Sequence, residues 1–126
     1  MKNKSGKVGK WFDFKPLNSF AIANPGHYLN PGYMIDELGF VHLRGAVTNA
    51  AAGGGAVIAQ LPPAYRPERN QHDTTLTNTS ATMGHIATRF YIAKTGGISA
   101  PGTSGAIWIN LSGISWWVGK ERLRQL

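Results

Sequence analysis

From about residue 19 onward, apolar and polar residues alternate in short runs broken by Gly, Pro and Asn. That period of two is the pattern of half-buried strands separated by turns. Residues 20–23 read as a short strand closed by Asn24-Pro25-Gly26, and Asn30-Pro31-Gly32 repeats the same turn chemistry. Proline presets φ in such turns and glycine accepts positive φ. Residues 33–36, the turn Glu37-Leu38-Gly39 and residues 40–47 predict a β-hairpin. In its second strand Val41, Leu43, Gly45 and Val47 share one face, and Phe40, His42, Arg44 and Ala46 share the other. A small-residue loop, Ala50-Ala51-Ala52-Gly53-Gly54-Gly55, precedes a strand at 56–61. Pro62-Pro63 ends that strand, because proline cannot donate to a ladder.

Residues 64–83 are polar, with Arg66, Glu68, Arg69, Asn70, Gln71, His72, Asp73 and many Thr and Ser, and predict a long loop with room for one short strand at 74–77. Gly84 opens a strand at 85–93 with Ile86, Thr88, Phe90 and Ile92 on one face and His85, Arg89 and Tyr91 on the other. Turns at 94–97 and 101–105 bracket a short strand at 98–100, and 106–111 with 114–118 make a final hairpin around Ser112-Gly113. No segment carries a helical period of useful length. The fold class this predicts is all-β, an antiparallel β-sandwich or jelly-roll-like barrel.

Charge divides the chain further. The 126 residues hold 13 Lys+Arg against 6 Asp+Glu, a formal +7. A balance this basic points first to nucleic acid. Residues 1–10 contribute +4 through Lys2, Lys4, Lys7 and Lys10, and residues 120–126 contribute +2, leaving +1 on everything between. The expected organisation is a basic N-terminal arm with an aromatic anchor (Trp11, Phe12, Phe14) at 1–18, a β domain at 19–119 and a basic C-terminal tail at 120–126. The charge reads as an attachment feature of the ends, and nucleic acid is not the expected partner. No apolar run approaches the ~20 residues of a membrane span. Met1 opens into Lys and Gly, without the apolar centre of a signal peptide.

The absence of Cys excludes disulfide scaffolds, thiolate metal sites and Cys nucleophiles. His27, His42, His72 and His85 show no metal-ligand spacing, and no metal or other cofactor is expected. The single adjacent acid pair, Asp36-Glu37, lies in a hairpin turn, whereas a glycosidase needs two carboxylates across one cleft. Gly53-Gly54-Gly55 lacks the lysine and following helix of a phosphate loop. The chain is not expected to be an enzyme. In the final hairpin the period of two sends Trp116 inward and Trp117 to the opposite face, with Trp108 and Asn110 opposed to Ile107, Ile109 and Leu111. An outward Trp serves either a subunit interface or the apolar face of a sugar ring. Arg89, Tyr91, Trp108, Asn110 and Trp117 are the candidate contact residues for either purpose.

One stretch is more specific. Gly39-Phe40-Val41-His42-Leu43-Arg44-Gly45, followed by Ile58-Ala59-Gln60-Leu61-Pro62-Pro63-Ala64-Tyr65-Arg66-Pro67, resembles the "G-x-V-x-L-R-G … I-x-x-L-P-x-x-Y-R-P" signature of C-terminal head domains of bacteriophage tail-fibre and baseplate receptor-binding proteins. Lys94-Thr95-Gly96-Gly97-Ile98 and the closing Leu111-Ser112-Gly113-Ile114-Ser115-Trp116 fit the same pattern, so the resemblance spans roughly residues 19–118. Physically, the two prolines stiffen the strand exit, Tyr65 can fold over the core, and Pro67 holds Arg66 extended. Arg44 and Arg66 are expected to bond loop carbonyls or an acid such as Asp36 or Glu37, which makes the motif structural. The resemblance implies a homotrimeric virion protein, on the phage tail or capsid surface, that attaches to the host cell through a surface glycan. The arm, Lys2, Lys4, Lys7, Lys10, Trp11 and Phe12, would then anchor it to other virion proteins. The alternative is a capsid or tail decoration protein held by the same arm in a purely structural role.

Overall fold

A computed structural model describes residues 6–23, 26, 29–48, 56–79, 82–101 and 106–126, with backbone alone at 78, 79, 82–86, 106 and 107. Four strands form the smaller sheet in the order β1 (Phe12–Asp13), β3 (Gly32–Ile35), β4 (Phe40–Arg44) and β11 (Ser115–Trp117). The larger sheet runs β2 (Ala21–Ile22), β5 (Ala46–Thr48), β10 (Ala106–Asn110), β7 (Gln71–Thr79), β8 (Thr82–Ile92), β9 (Gly97–Ser99) and β6 (Val57–Gln60). Every pairing is antiparallel. The fold is therefore all-β, with its sheets curled into a half-barrel.

Both sheets bury one face in a single core. Ile35, Val41 and Leu43 of the smaller sheet join Val47, Ile58, Phe90, Ile92, Ile98 and Ile109 of the larger in one cluster. Each such side chain contributes roughly 1.5–3 kcal/mol when removed from water. Trp116 is buried with them, as the period of two predicts, while its neighbour Trp117 is exposed.

The long loop expected at 64–83 is a correction. Residues 63–65 form one turn of 310 helix, and Gln71–Thr79 is a nine-residue strand at the centre of the larger sheet. β7 pairs with β8 from Gln71↔Ile92 to Thr79↔Thr82 as a long hairpin. Its inward positions are Thr75 and Thr77, buried but polar, so no apolar alternation marks the strand. The Thr75 hydroxyl donates to the Asn110 carbonyl of β10, which gives the buried group its partner.

The strand expected over 40–47 breaks at Gly45. β4 belongs to the smaller sheet and β5 to the larger, and the chain passes between them at a glycine with φ of 87°. A side chain there would meet the Asn30 carbonyl carbon and oxygen at 2.7 Å. The Gly45 N–H donates to Ser112 Oγ at 2.9 Å and its carbonyl accepts from Leu111 N–H at 2.8 Å, so the crossing is fixed against the β10–β11 turn. The final hairpin expected there is a correction: β10 pairs with β5 and β7 in the larger sheet and β11 with β4 in the smaller, so the chain crosses between sheets at Ser112-Gly113 as it does at Gly45.

The composition-based boundary at 18/19 falls inside packed structure. β1 pairs Phe12 with Tyr33, Leu17 N–H donates to the Ile58 carbonyl, and Asn18 Nδ2 donates to the Val57 carbonyl. At the other end Lys120–Gln125 forms a 310 helix, and Leu123 and Leu126 pack against the core.

The "L-P-x-x-Y-R-P" segment is a junction. Leu61 N–H donates to the Gly96 carbonyl at 2.8 Å, and Arg66 Nε donates to the Leu61 carbonyl at 2.8 Å. Trp116 Nε1 donates to the Tyr65 carbonyl, and Arg122 Nη1 donates to the Arg66 and Ala64 carbonyls at 2.6 and 3.4 Å. Arg66 thus bonds a loop carbonyl as expected; Arg44 reaches an acid, Asp13 at 3.5 Å, instead of Asp36 or Glu37. Tyr65 folds over the core and meets the Tyr33 ring edge-on at 4.8 Å. Among the described residues its buried hydroxyl has no hydrogen-bond partner. Burial pushes the phenol pKa up, and the facing Tyr33 adds to the shift.

Candidate functional site

The candidate contact residues fall on two separate surfaces. Arg89 and Tyr91 stand on β8, opposite Thr74 and His72 of β7, and Trp108 stands on β10 opposite Asn78. Alternation puts Arg89, Tyr91, Trp108 and Asn110 on the face opposed to the buried Phe90, Ile92 and Ile109. His72, Thr74 and the exposed Leu76 share that outer face, and the His72 and Tyr91 rings lie 5.0 Å apart. Arg89 is exposed, while Tyr91, Trp108 and Asn110 are half-buried. The Asn110 amide is engaged with the backbone, donating to the Ser112 carbonyl at 3.0 Å and accepting from Ser112 N–H at 3.3 Å. Asn110 thus shapes the turn by which the chain leaves β10 for β11.

Trp117 lies on the other sheet. It pairs in register with Phe40, and its Nε1 donates to the Leu38 carbonyl at 3.0 Å across the β3–β4 hairpin. Trp117 is 60% exposed, Leu38 58% and Phe40 38%. With Glu68, Val118, Gly119, Lys120, Glu121 and Arg122 they line an open groove of about 790 Å³. Val118 and Gly119 N–H groups both donate to the Gly39 carbonyl, at 2.8 and 3.2 Å, so the hairpin tip and the C-terminal helix hold each other in place. The Arg122 bonds to the Ala64 and Arg66 carbonyls fix the groove's far wall to the proline segment. An Arg124–Glu121 contact at 3.6 Å is solvated and weak. Sequence reasoning missed this groove apart from Trp117. Two bulky apolar residues, Leu38 and Phe40, at a hairpin turn were the available signal.

His42 and Asp36 form a third feature. His42 Nε2 and Asp36 Oδ2 are 2.8 Å apart, and Asp36 Oδ1 accepts from Leu38 N–H at 2.9 Å and Phe40 N–H at 3.0 Å. Partial burial works against the Asp36 charge. The bonds from His42, Phe40 and Leu38 and the His42 charge outweigh it and hold the carboxyl below its usual range. Among the described residues no three His, Asp or Glu side chains converge as a metal cluster would. His27 lies outside the described residues, and His85 is described in backbone alone.

Of the arm, Lys2 and Lys4 lie outside the described residues. Trp11 receives the Arg44 guanidinium over its ring at 4.7 Å, and Lys10 Nζ stands 5.7 Å from the Phe12 ring centre. Phe12 and Phe14 flank Tyr33 at 5.7 and 4.9 Å. These aromatics attach the start of the described chain to the edge of the smaller sheet.

The fold is similar to that of the receptor binding protein (gp15) of Listeria phage PSA, with a TM-score of 0.64 and 21% sequence identity. The likeness covers 85% of this chain and 63% of that one, so this chain spans less than two thirds of the phage protein's length. No protein-family model and no curated protein matches the sequence significantly.

Proposed function

We propose that the chain is a bacteriophage virion protein of the tail that attaches the particle to the bacterial surface, with a surface glycan as its ligand. The observation that carries the reading is the all-β fold shared over 85% of the chain with a phage receptor binding protein. The "L-R-G … L-P-x-x-Y-R-P" residues support it, because they build the junction that ties the exit of β6 in the larger sheet to β11 of the smaller. The near-neutral body with outward aromatics suits recognition of sugars better than of phosphates. On this reading the chain binds without catalysis, works as a homotrimer and meets other virion proteins through the residues around Lys7, Lys10, Trp11 and Phe12. The outer face of the larger sheet, with Arg89, Tyr91, Trp108 and Leu76, is available to a neighbouring subunit or to ligand.

The test is adsorption. Purified protein is expected to bind host cells and to slow phage adsorption in competition, and failure in both overturns the attachment reading. Light scattering tests assembly separately, and a stable monomer at micromolar concentration overturns the trimer.

A further inference from the structure

We propose that the groove around Trp117 seats one uncharged hexopyranose ring, the part of the attachment ligand that this chain grips; the proposal rests on the attachment reading above. Three of the bulky apolar side chains left exposed among the described residues, Leu38, Phe40 and Trp117, meet in this one depression. Exposed aromatic and aliphatic surface gathered in a concavity marks a binding site more often than scattered apolar residues do.

The aromatic is fixed. The indole N–H is taken by the Leu38 carbonyl, and Gly119 lies against the six-membered ring, where a Cβ would sit 3.5 Å from Cζ2 and Cη2. An immobilised indole loses little freedom when a ligand stacks on it, which lowers the entropic cost of binding. The volume of about 790 Å³ falls within the ~300–1,000 Å³ of small-molecule sites.

The polar lining selects the chemistry. Glu68 and Glu121 face the same space as Lys120 and Arg122, a formal sum of zero. Carboxylates accept hydrogen bonds from hydroxyls, and the ammonium and guanidinium donate to ring and hydroxyl oxygens. A pyranose offers both kinds of group around its rim and an apolar C–H face for the indole. A phosphate-rich polymer would have to approach two carboxylates, and a lipid tail would strand four charged groups.

The experiment uses the full chain and a panel of glucose, galactose, mannose, N-acetylglucosamine and rhamnose, followed by two-dimensional NMR. At least one sugar is expected to shift the Trp117 indole N–H and the Lys120 and Glu121 amides more than any other group. Trp117→Ala is expected to weaken that sugar by roughly tenfold or more, and Leu29→Ala, on a remote exposed site, to leave it unchanged. Shifts centred elsewhere or full binding by Trp117→Ala overturn the proposal. So do Trp117 shifts that follow protein dilution without sugar, since they would mark a second copy in the groove. If Trp117→Ala does not fold, the shifts of the unaltered protein decide alone. Host-cell adsorption separates the two readings. A chain that adsorbs but shows no Trp117 response loses the groove assignment only, and one with the Trp117 response but no adsorption loses the attachment reading only.

Discussion

Trp116 donates its indole N–H to the backbone carbonyl of Tyr65 at 3.0 Å, with both side chains buried. Fifty-one positions apart in sequence, they join β11 to the proline segment. Trp116→Phe leaves the Tyr65 carbonyl without its donor and a void beside it. The expected loss is about 2 kcal/mol in urea unfolding, since an orphaned buried acceptor costs ~1–3 kcal/mol. Trp117→Phe, whose bond to Leu38 is solvent-exposed, should cost under ~1 kcal/mol. Equal losses would contradict the division of the pair into core and surface.

Tyr65 itself predicts the opposite sign. Its buried hydroxyl has no partner among the described residues. Tyr65→Phe removes that group while keeping the ring contact with Tyr33, so stability should stay level or rise by about 1 kcal/mol. A clear loss would mean that the hydroxyl is bonded after all, to water or to another subunit.

The Asp36–His42 pair predicts a pH dependence. The folded Asp36 carboxyl titrates below the unfolded one, so its contribution is complete above the unfolded value near ~4 and fades as pH falls through the folded value. Asp36→Asn retains an oxygen for Leu38 and Phe40 but no charge for His42. It should lose about 1 kcal/mol at neutral pH, and the difference should shrink as pH falls below the unfolded value near ~4. Thermal unfolding of both proteins across that range checks it, and a gap unchanged by acid would refute it.

Gly45→Ala should be costly, and Gly113→Ala mild. Both glycines have φ near 90°, but a Cβ at Gly45 meets the Asn30 backbone while one at Gly113 meets nothing within 4 Å. Positive φ alone costs an alanine ~1–2 kcal/mol, and the added displacement at Gly45 should bring its loss to about 3 kcal/mol or more. Chemical denaturation of the two variants separates backbone strain from collision.

The hairpin of β3 and β4 and the division of Trp116 from Trp117 were legible because one face is apolar and the other is not, so period two fixes which side chain turns inward. Gln71–Thr79 was not, because its buried positions are Thr75 and Thr77 and both faces of the strand are polar. Its signal lay in β-branched content, four threonines in nine residues, which favours a pleated surface without alternation. The break at Gly45 was hidden for another reason. Val41, Leu43 and Val47 all point inward as one continuous strand would have them, while Ala46 is buried as well. A glycine in register with apolar neighbours looks like a gap in the core, and only the tertiary fold reveals it as a corner. Of the candidate site, pattern found the aromatics but not their grouping, since which strands lie side by side depends on pairings 30 or more residues apart, such as Trp117 with Phe40.

That corner at Gly45 governs how the molecule comes apart. One unbroken run, β4 to β5, feeds both sheets, and the end of the chain does the same by sending β10 to the larger sheet and β11 to the smaller. The two sheets are thus coupled through both crossings, and melting one pulls on strands that run directly into the other. Unfolding in one all-or-none step is the expected outcome, and agreement of the calorimetric and van't Hoff enthalpies checks it.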